Sequence, residues 1–315
     1  MSNKTIAKFF AFVILFPLIC VYFSACTPIS PNEAKTGSAT RFHPPVVVGT
    51  IRSPEITESS GIAASGCQKN IFWVHNDSGD DAYIYAMNAA GDDLGTWKLQ
   101  GARNIDWEDI ASAKDKSGKC FIYVGEIGDN EKKRAEHAVY RIREPEVSGS
   151  TRRSNRKDPF FTENAEVLKF SYPDHNQDAE TLMIQPMTGD IYVITKRVNG
   201  PAGVYRIKPE FDRDAVQTAE KVAEIAVPSI PNGFLTGGDI SPDGRRVIIC
   251  DYNNAYELVL AEGAENFDDI WKQRPEMVEV GPRAVGEAVC YSVDGTSVFA
   301  TSERRSSPVI EVKRR

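Results

Sequence analysis

Five stretches of this chain share one design and recur at a period of about 50 residues, the range that marks a repeat architecture. They are Ser59-Ser60-Gly61-Ile62-Ala63, Trp107-Glu108-Asp109-Ile110-Ala111, Ala179-Glu180-Thr181-Leu182-Met183, Gly237-Gly238-Asp239-Ile240-Ser241 and Gly286-Glu287-Ala288-Val289-Cys290. Each places a small or acidic residue just ahead of a short apolar strand. A repeat of this size cannot bury its apolar face alone, so its copies must pack on one another.

Between these stretches, short β-rich runs alternate with Gly, Pro, Asn and Asp, and helical periodicity is scarce. The first unit predicts strands over 61–65, 71–75, 82–87 and 95–99. The second predicts 109–113, 121–126, 138–143 and 165–170. The third predicts 181–185, 191–196, 203–207 and 222–227, and the fourth 239–241, 246–251, 255–260 and 277–280. The fifth holds only three runs, 288–292, 297–302 and 309–313. A lone run, 46–51, lies ahead of the first unit and is expected to supply the missing strand. That closes a ring and removes exposed sheet edges. The expected fold is an all-β, five-bladed β-propeller; a six-bladed ring is the alternative if Ser148 to Asn164, which reads as a surface loop, holds a further element.

The N-terminus reads as an export signal. Lys4 and Lys8 precede an apolar run from Phe9 to Ile19 that is short for a membrane span. Phe23-Ser24-Ala25-Cys26 resembles the bacterial lipobox, with Phe23 departing from its usual Leu. The resemblance implies that Cys26 is lipidated and becomes the new N-terminus; the other reading is a plain signal peptide cleaved nearby. On the reading the resemblance implies, residues 1–26 are expected to be a lipoprotein signal and 27–44 a polar, flexible tether. Residues 45–315 are expected to form the propeller, held at the bacterial cell envelope by a lipid and facing the periplasm or exterior. A net charge of −7 argues against nucleic acid as a partner. Of the cysteines beyond the signal, Cys67 and Cys120 fall on first-to-second strand connections of adjacent blades, on one side of the ring, and are expected to pair. Cys250 and Cys290 fall within strands, where buried thiols are as expected as a bond.

In a propeller, the loops before the first strand and after the second open on the same side. That side receives His75-Asn76-Asp77-Ser78-Gly79-Asp80, Glu126-Ile127-Gly128-Asp129-Asn130, Asp174 to Asp178, Lys196-Arg197, Asp251 to Asn254, Glu303-Arg304-Arg305, Asp106 and Arg283. The other side receives tight turns such as Ser241-Pro242-Asp243-Gly244 and Ser292-Val293-Asp294-Gly295. Function concentrates on loops carried by a rigid scaffold.

Within the polar side, the aligned column Ser60, Glu108, Glu180, Gly238 and Glu287 is expected to line the mouth of the central channel. Carboxylates crowded there repel unless protonated or neutralised. A hard cation such as Ca²⁺, which accepts carboxylate, hydroxyl, carbonyl and water oxygens together, resolves the conflict. The metal ligands would be Ser60, Glu108, Glu180 and Glu287. A hydrated ring of acids, or acids bonded to backbone amides, is the alternative. Asp77, Asp80, Asp129 and Asn130 read either as a second cation site or as Asx-turn caps. His75 reads either as a catalytic base or as a hydrogen-bonded loop histidine. Lys132, Lys133, Arg134, Lys196, Arg197, Arg304 and Arg305 form a basic rim suited to a phosphate-bearing ligand, or simply balance the acids.

Four motifs, Trp73 to Gly79, Asp106 to Ala111, Gly128 to Asn130 and Asp178 to Glu180, resemble those of a family of bacterial exported β-propeller proteins. More distantly, the central column is similar to the Ca²⁺ site of five-bladed calcium-dependent nucleotidases (apyrases), from which Gly238 departs. Propeller phytases are a looser comparison. The expected function is a binding scaffold whose loop face, with a central Ca²⁺, takes a protein, glycan or phosphate-bearing small molecule. The alternative is Ca²⁺-dependent hydrolysis of phosphate esters or anhydrides, with Asp106 or Glu108 as the base. In both, His75, Asp77, Asp129, Asn130, Lys196, Arg197, Arg283 and Arg304 are the candidate ligand contacts.

Overall fold

A computed structural model describes residues 41–315, and in it five sheets, each with four antiparallel blade strands, stand in a ring. Blade one holds β2 (Ser59–Ala64), β3 (Phe72–Asn76), β4 (Tyr83–Met87) and β5 (Asp93–Gln100). Blade two holds β6 (Trp107–Lys114), β7 (Cys120–Glu126), β8 (His137–Arg143) and β10 (Glu166–Ser171). Blade three is β11 (Ala179–Ile184), β12 (Ile191–Thr195), β13 (Ala202–Ile207) and β15 (Glu220–Ile225). Blade four is β16 (Gly237–Ile240), β17 (Arg246–Cys250), β18 (Ala255–Val259) and β19 (Glu276–Val278). Blade five is β20 (Val289–Tyr291), β21 (Ser297–Ala300) and β22 (Pro308–Lys313), completed on its outer side by β1 (Val46–Thr50). β1 runs antiparallel to β22, pairing Val46 with Glu311 and Thr50 with Pro308. The expected five blades and their closure by an N-terminal strand are what the structure has.

One expectation needs correction. The segment from Ser148 to Asn164 is more than a surface loop. It carries a single 3-10 turn, Thr151–Arg153, and β9 (Phe160–Asn164), which adds in parallel to the outside of β5. Its Ser and Thr residues pin it to blade one: Ser154 Oγ accepts from Thr96 N at 2.8 Å, and Thr151 Oγ1 donates to Leu94 O at 2.7 Å. Phe160 lies over Trp97 at 5.9 Å. A short β14 (Val216–Thr218) joins blade two beside β10 in the same way. Both widen existing blades, so the ring stays five-bladed.

Apolar side chains fill the wedges between blades. Trp73, Trp97, Trp107, Ile110, Val124 and Tyr140 form one such cluster between the first two, with Trp73 edge-on to Trp97 at 5.1 Å. Large fully buried rings of this kind contribute about 2–3 kcal/mol each through removal of apolar area from water. The first strands, β2, β6, β11, β16 and β20, lie side by side around the axis. This leaves their backbone groups on the channel side without a sheet partner, and two aspartates answer for several of them. Asp109 Oδ2 accepts from Leu182 N of blade three at 3.0 Å and from Gly238 N of blade four at 3.4 Å. Asp239 Oδ2 accepts from Tyr291 N of blade five at 2.9 Å. These carboxylates act as braces across the ring.

The tight turns behave as read: Gly244 and Gly295 both take φ of 67°, a conformation open to glycine without a Cβ penalty. Cys67 and Cys120 form a disulfide, and Cys250 and Cys290 are free and buried. The chain enters the ring at Phe42, which bridges to Arg314 on the side of the tight turns, opposite the polar loops. Cys26 and the tether up to residue 40 lie outside the described residues.

Candidate functional site

The four polar residues of the column sit where the sequence places them, at the inner strands' entry ends, and all are buried: Ser60 is 1%, Glu108 4%, Glu180 4% and Glu287 5% exposed. They do not form one symmetrical ring of free oxygens. Ser60 Oγ donates to the backbone carbonyl of Glu108 at 2.7 Å and so ties blade one to blade two. Glu180 Oε1 takes the Lys196 ammonium at 2.6 Å. Lys196 lies between the rings of Phe234 (4.8 Å to the centroid) and Tyr252 (5.5 Å), which meet edge-on at 4.9 Å. A protein cation, shielded by two aromatic faces, therefore occupies the mouth on the side of blades three and four. Burial works against that charge, but Glu180 and the other acids hold Lys196 firmly protonated, well above the usual lysine range. Glu287 leans on Glu303 in a carboxyl–carboxylate hydrogen bond; burial, and then this contact, raise it far above an ordinary glutamate.

The closest carboxylate triad among the described residues is different from the column. Oxygens of Asp77, Asp106 and Glu108 all lie within 4.8 Å of one another. Glu108 is the buried member, and no protein group donates a hydrogen bond to its carboxylate among the described residues. Burial and the neighbouring Glu180, Asp77, Asp106 and Glu287 push it well above the glutamate range. Asp106 is half-buried and raised to about 6, first by burial and then by Asp77 and Glu126, with Arg134 opposing. The triad is packed against the backbone of Gly128, where a Cβ would stand 2.1 Å from Glu108 Oε1 and 2.6 Å from Asp106 Cγ. The Gly-Asp-Asn motif thus supplies the missing side chain that lets two carboxylates close in.

A buckle holds Asp106. Glu126, at the end of β7, accepts from Ile105 N at 2.8 Å and from Asp106 N at 3.0 Å. Arg134 binds Glu126 Oε1 at 2.8 Å and the Gly128 carbonyl at 2.6 Å. Asp129 accepts from Lys133 N at 3.0 Å and Arg134 N at 2.7 Å, so it caps the loop that presents that arginine.

Several candidates also have structural work. Asn76 takes Thr57 N and Glu58 N on its oxygen and gives its NH₂ to Glu55 O and Asp80. Asp80 also accepts from Tyr85 OH at 2.8 Å and Arg156 at 2.9 Å. His75 is fully buried, edge-on to Trp107 at 5.9 Å; its Nδ1–H donates to Asn76 O at 2.8 Å, and burial lowers its affinity for a second proton. Arg283 spans to the carbonyls of Asp251 (3.0 Å) and Thr301 (3.4 Å), joining blades four and five. Arg197 bonds through its backbone to Gly233 at 2.8 Å, while Asn130, Arg304 and Arg305 are exposed on the loop face.

Sequence reasoning named Asp77, Asp106 and Glu108 separately but not as one cluster. It placed Glu126, Arg134, Tyr252 and Glu303 on the polar side but did not pair Glu126 with Arg134 or Glu303 with Glu287, and it missed Phe234, which with Tyr252 flanks Lys196. The position of Glu126, two residues before the Gly-Asp-Asn motif, was the available signal.

No family model and no curated protein matches this sequence. Solved propellers do. The chain is similar to a gluconolactonase from Xanthomonas campestris, with 11% identity and a TM-score of 0.46 over 83% of this chain and 87% of that one. It is also similar to a luciferin-regenerating enzyme, with 9% identity and a TM-score of 0.42 over 85% and 95% of the two chains. Neither likeness extends to chemistry.

Proposed function

We propose that the loop face is a Ca²⁺-dependent binding site for an oxygen-rich anionic ligand, carried by a lipid-tethered propeller. The observation that carries this reading is Glu108: a carboxylate 4% exposed, without a protein donor among the described residues, and within 4.8 Å of oxygens from Asp77 and Asp106. Burying such a charge is costly unless it is paired, protonated or ligating a metal. Lys196 serves Glu180, so a cation on Asp77, Asp106 and Glu108 takes the remaining charge. The donor set, all oxygen and partly open to solvent, suits Ca²⁺, which completes its shell with water and ligand oxygens. The cation would supply electrostatic attraction for the ligand's anionic groups, and exposed Arg304 and Arg305 extend that attraction to the rim.

The test is thermal. A ligand bound only by the folded state stabilises it by mass action, so millimolar Ca²⁺ should raise the melting temperature and a chelator reverse the gain. Asp106→Asn should blunt the response. An equal melt with Ca²⁺ and with chelator overturns the reading.

Asp106 favours a second reading, hydrolysis of a phosphate ester or anhydride. Half-buried beside Asp77 and Glu108, its carboxylate is placed to take a proton from an attacking water. Turnover of a nucleotide or generic phosphate ester in the presence of Ca²⁺ distinguishes this from capture alone, and its absence removes the second reading.

The anchor has its own check. Mass spectrometry of the mature protein should find an acylated Cys26 at the N-terminus; an unacylated N-terminus elsewhere removes the anchor.

A further inference from the structure

We propose that His137 is an acid-operated latch: its protonation frees the loop from Gly128 to Glu136, and with it the backbone support of Asp106. The last step rests on the cation-site reading above; the release of the loop does not.

His137 opens β8 at the foot of that loop and is 2% exposed. Neither of its ring nitrogens has a hydrogen-bond partner, and nor does the neighbouring Tyr172 hydroxyl. Buried polar groups are almost always bonded, so a histidine with two orphaned nitrogens calls for a reason. Its surroundings are aromatic. Phe170 lies 5.7 Å away, Tyr172 edge-on at 5.2 Å, and Tyr205 closes on Tyr172 at 4.8 Å. The charged groups facing it are Arg134 and Asp129 from the loop; Asp178 stands beyond Tyr172.

The box tolerates a neutral imidazole and not an imidazolium. The charged ring would carry two N–H donors and find no acceptor, with a guanidinium nearby. Burial first, and then Arg134, hold its proton affinity down, to about 4, while Asp129 opposes them. The free ring takes a proton near 6.5. Protonation is therefore coupled to opening of the box. What opens is connected to the site. Asp129 caps Lys133 N and Arg134 N, and Arg134 clasps Glu126 and the Gly128 carbonyl. Glu126 in turn holds Asp106 N. Moving the foot of the loop undoes the clasp, and Asp106 loses its place beside Glu108.

Hydrogen exchange read by mass spectrometry, corrected for the intrinsic pH effect, tests the latch. In the wild type, protection of the 128–136 segment should fall as the pH drops from about 6.5 to about 4, by up to about tenfold per unit for a one-proton coupling. His137→Phe keeps the ring and removes the proton, so its segment should stay protected over the same range. Equal loss of protection in both proteins overturns the latch. Should the variant not fold, imidazole titration by NMR in the wild type, which has 4 histidines, decides it. A folded-state midpoint for His137 well below 6.5 supports the latch, and an ordinary midpoint overturns it. Calorimetric titration with Ca²⁺ separates the two readings. Wild-type affinity should fall more steeply with acid than that of His137→Phe. Absence of Ca²⁺ binding near neutral pH would sink the cation site, while the exchange result would still stand for or against the latch.

Discussion

Gly128→Ala should abolish Ca²⁺-dependent stabilisation while leaving the ring folded. The added methyl would stand 2.1 Å from Glu108 Oε1 and 2.6 Å from both Asp106 Cγ and Oδ2. Neither carboxylate has free space behind it, since Glu108 is buried and Asp106 is fixed through its backbone N–H to Glu126. The acids must separate. Overpacking of this kind costs about 1–3 kcal/mol in the metal-free protein. The larger loss is functional, because carboxylates pushed apart no longer share one cation. Paired melts with Ca²⁺ and with chelator measure both effects. A wild-type Ca²⁺ response in the variant would show that the triad is not where the cation sits. The same substitution at Gly149, whose Cβ would meet nothing within 4 Å, is the control.

The second large effect concerns Lys196. Lys196→Met keeps an apolar stem between Phe234 and Tyr252 but removes the ammonium from Glu180, whose side chain is 5% exposed against 14% for the lysine. Breaking one partner of a buried ion pair typically costs about 3–5 kcal/mol, because the survivor is left charged and unpaired. Glu180 already lies above the ordinary glutamate range through burial, with Lys196 pulling it down. Without that pull it rises further. The sign of the pH dependence follows. A carboxyl whose folded pKa is raised binds more protons folded than unfolded, so stability is gained as pH falls through the folded value toward the unfolded one. The gap between wild type and Lys196→Met should therefore be widest above neutral pH and narrow in mild acid. A gap that is constant with pH would mean that the pair contributes packing rather than charge. Glu180→Gln, which the sequence suggests as a simple test of metal ligation, is confounded here: it also strands the Lys196 ammonium.

The fold was legible because its signals are local and repeated. Alternating apolar runs, the Asp-Gly turns at Gly244 and Gly295, and the unpartnered run near Val46 each constrain the topology, and all point to one ring. β9 was not legible: the polar residues around Phe160 and Phe161 read as loop. What makes that run a strand is Trp97 beneath it and the hydroxyls of Thr151 and Ser154 on blade one, contacts distant in sequence. At the site, the column told which residues reach the mouth but not how they divide the charge. Glu108 and Glu180 occupy equivalent positions, yet one meets two aspartates and the other a lysine. That difference comes from side chains on other loops, Asp77 and Lys196, whose reach no alignment of repeats can give. Likewise Asp109, adjacent to Glu108 in sequence, points across the channel to Leu182 N and Gly238 N, since successive strand residues face opposite ways.

The pairing of β1 with β22 also bears on how the molecule is made. The strand that completes blade five begins at Val46, and its partner, of 6 residues, ends at Lys313. A chain synthesised or translocated from its N-terminus must hold β1 idle until nearly every other residue has emerged. Contacts so far apart in sequence are slow to form, and until then both strands offer bare edges to any neighbouring chain. Truncation of either end leaves the same lesion, a ring with an open seam. The vulnerable interval for this protein is therefore the time between first and last strand, the period in which a holding chaperone would matter most.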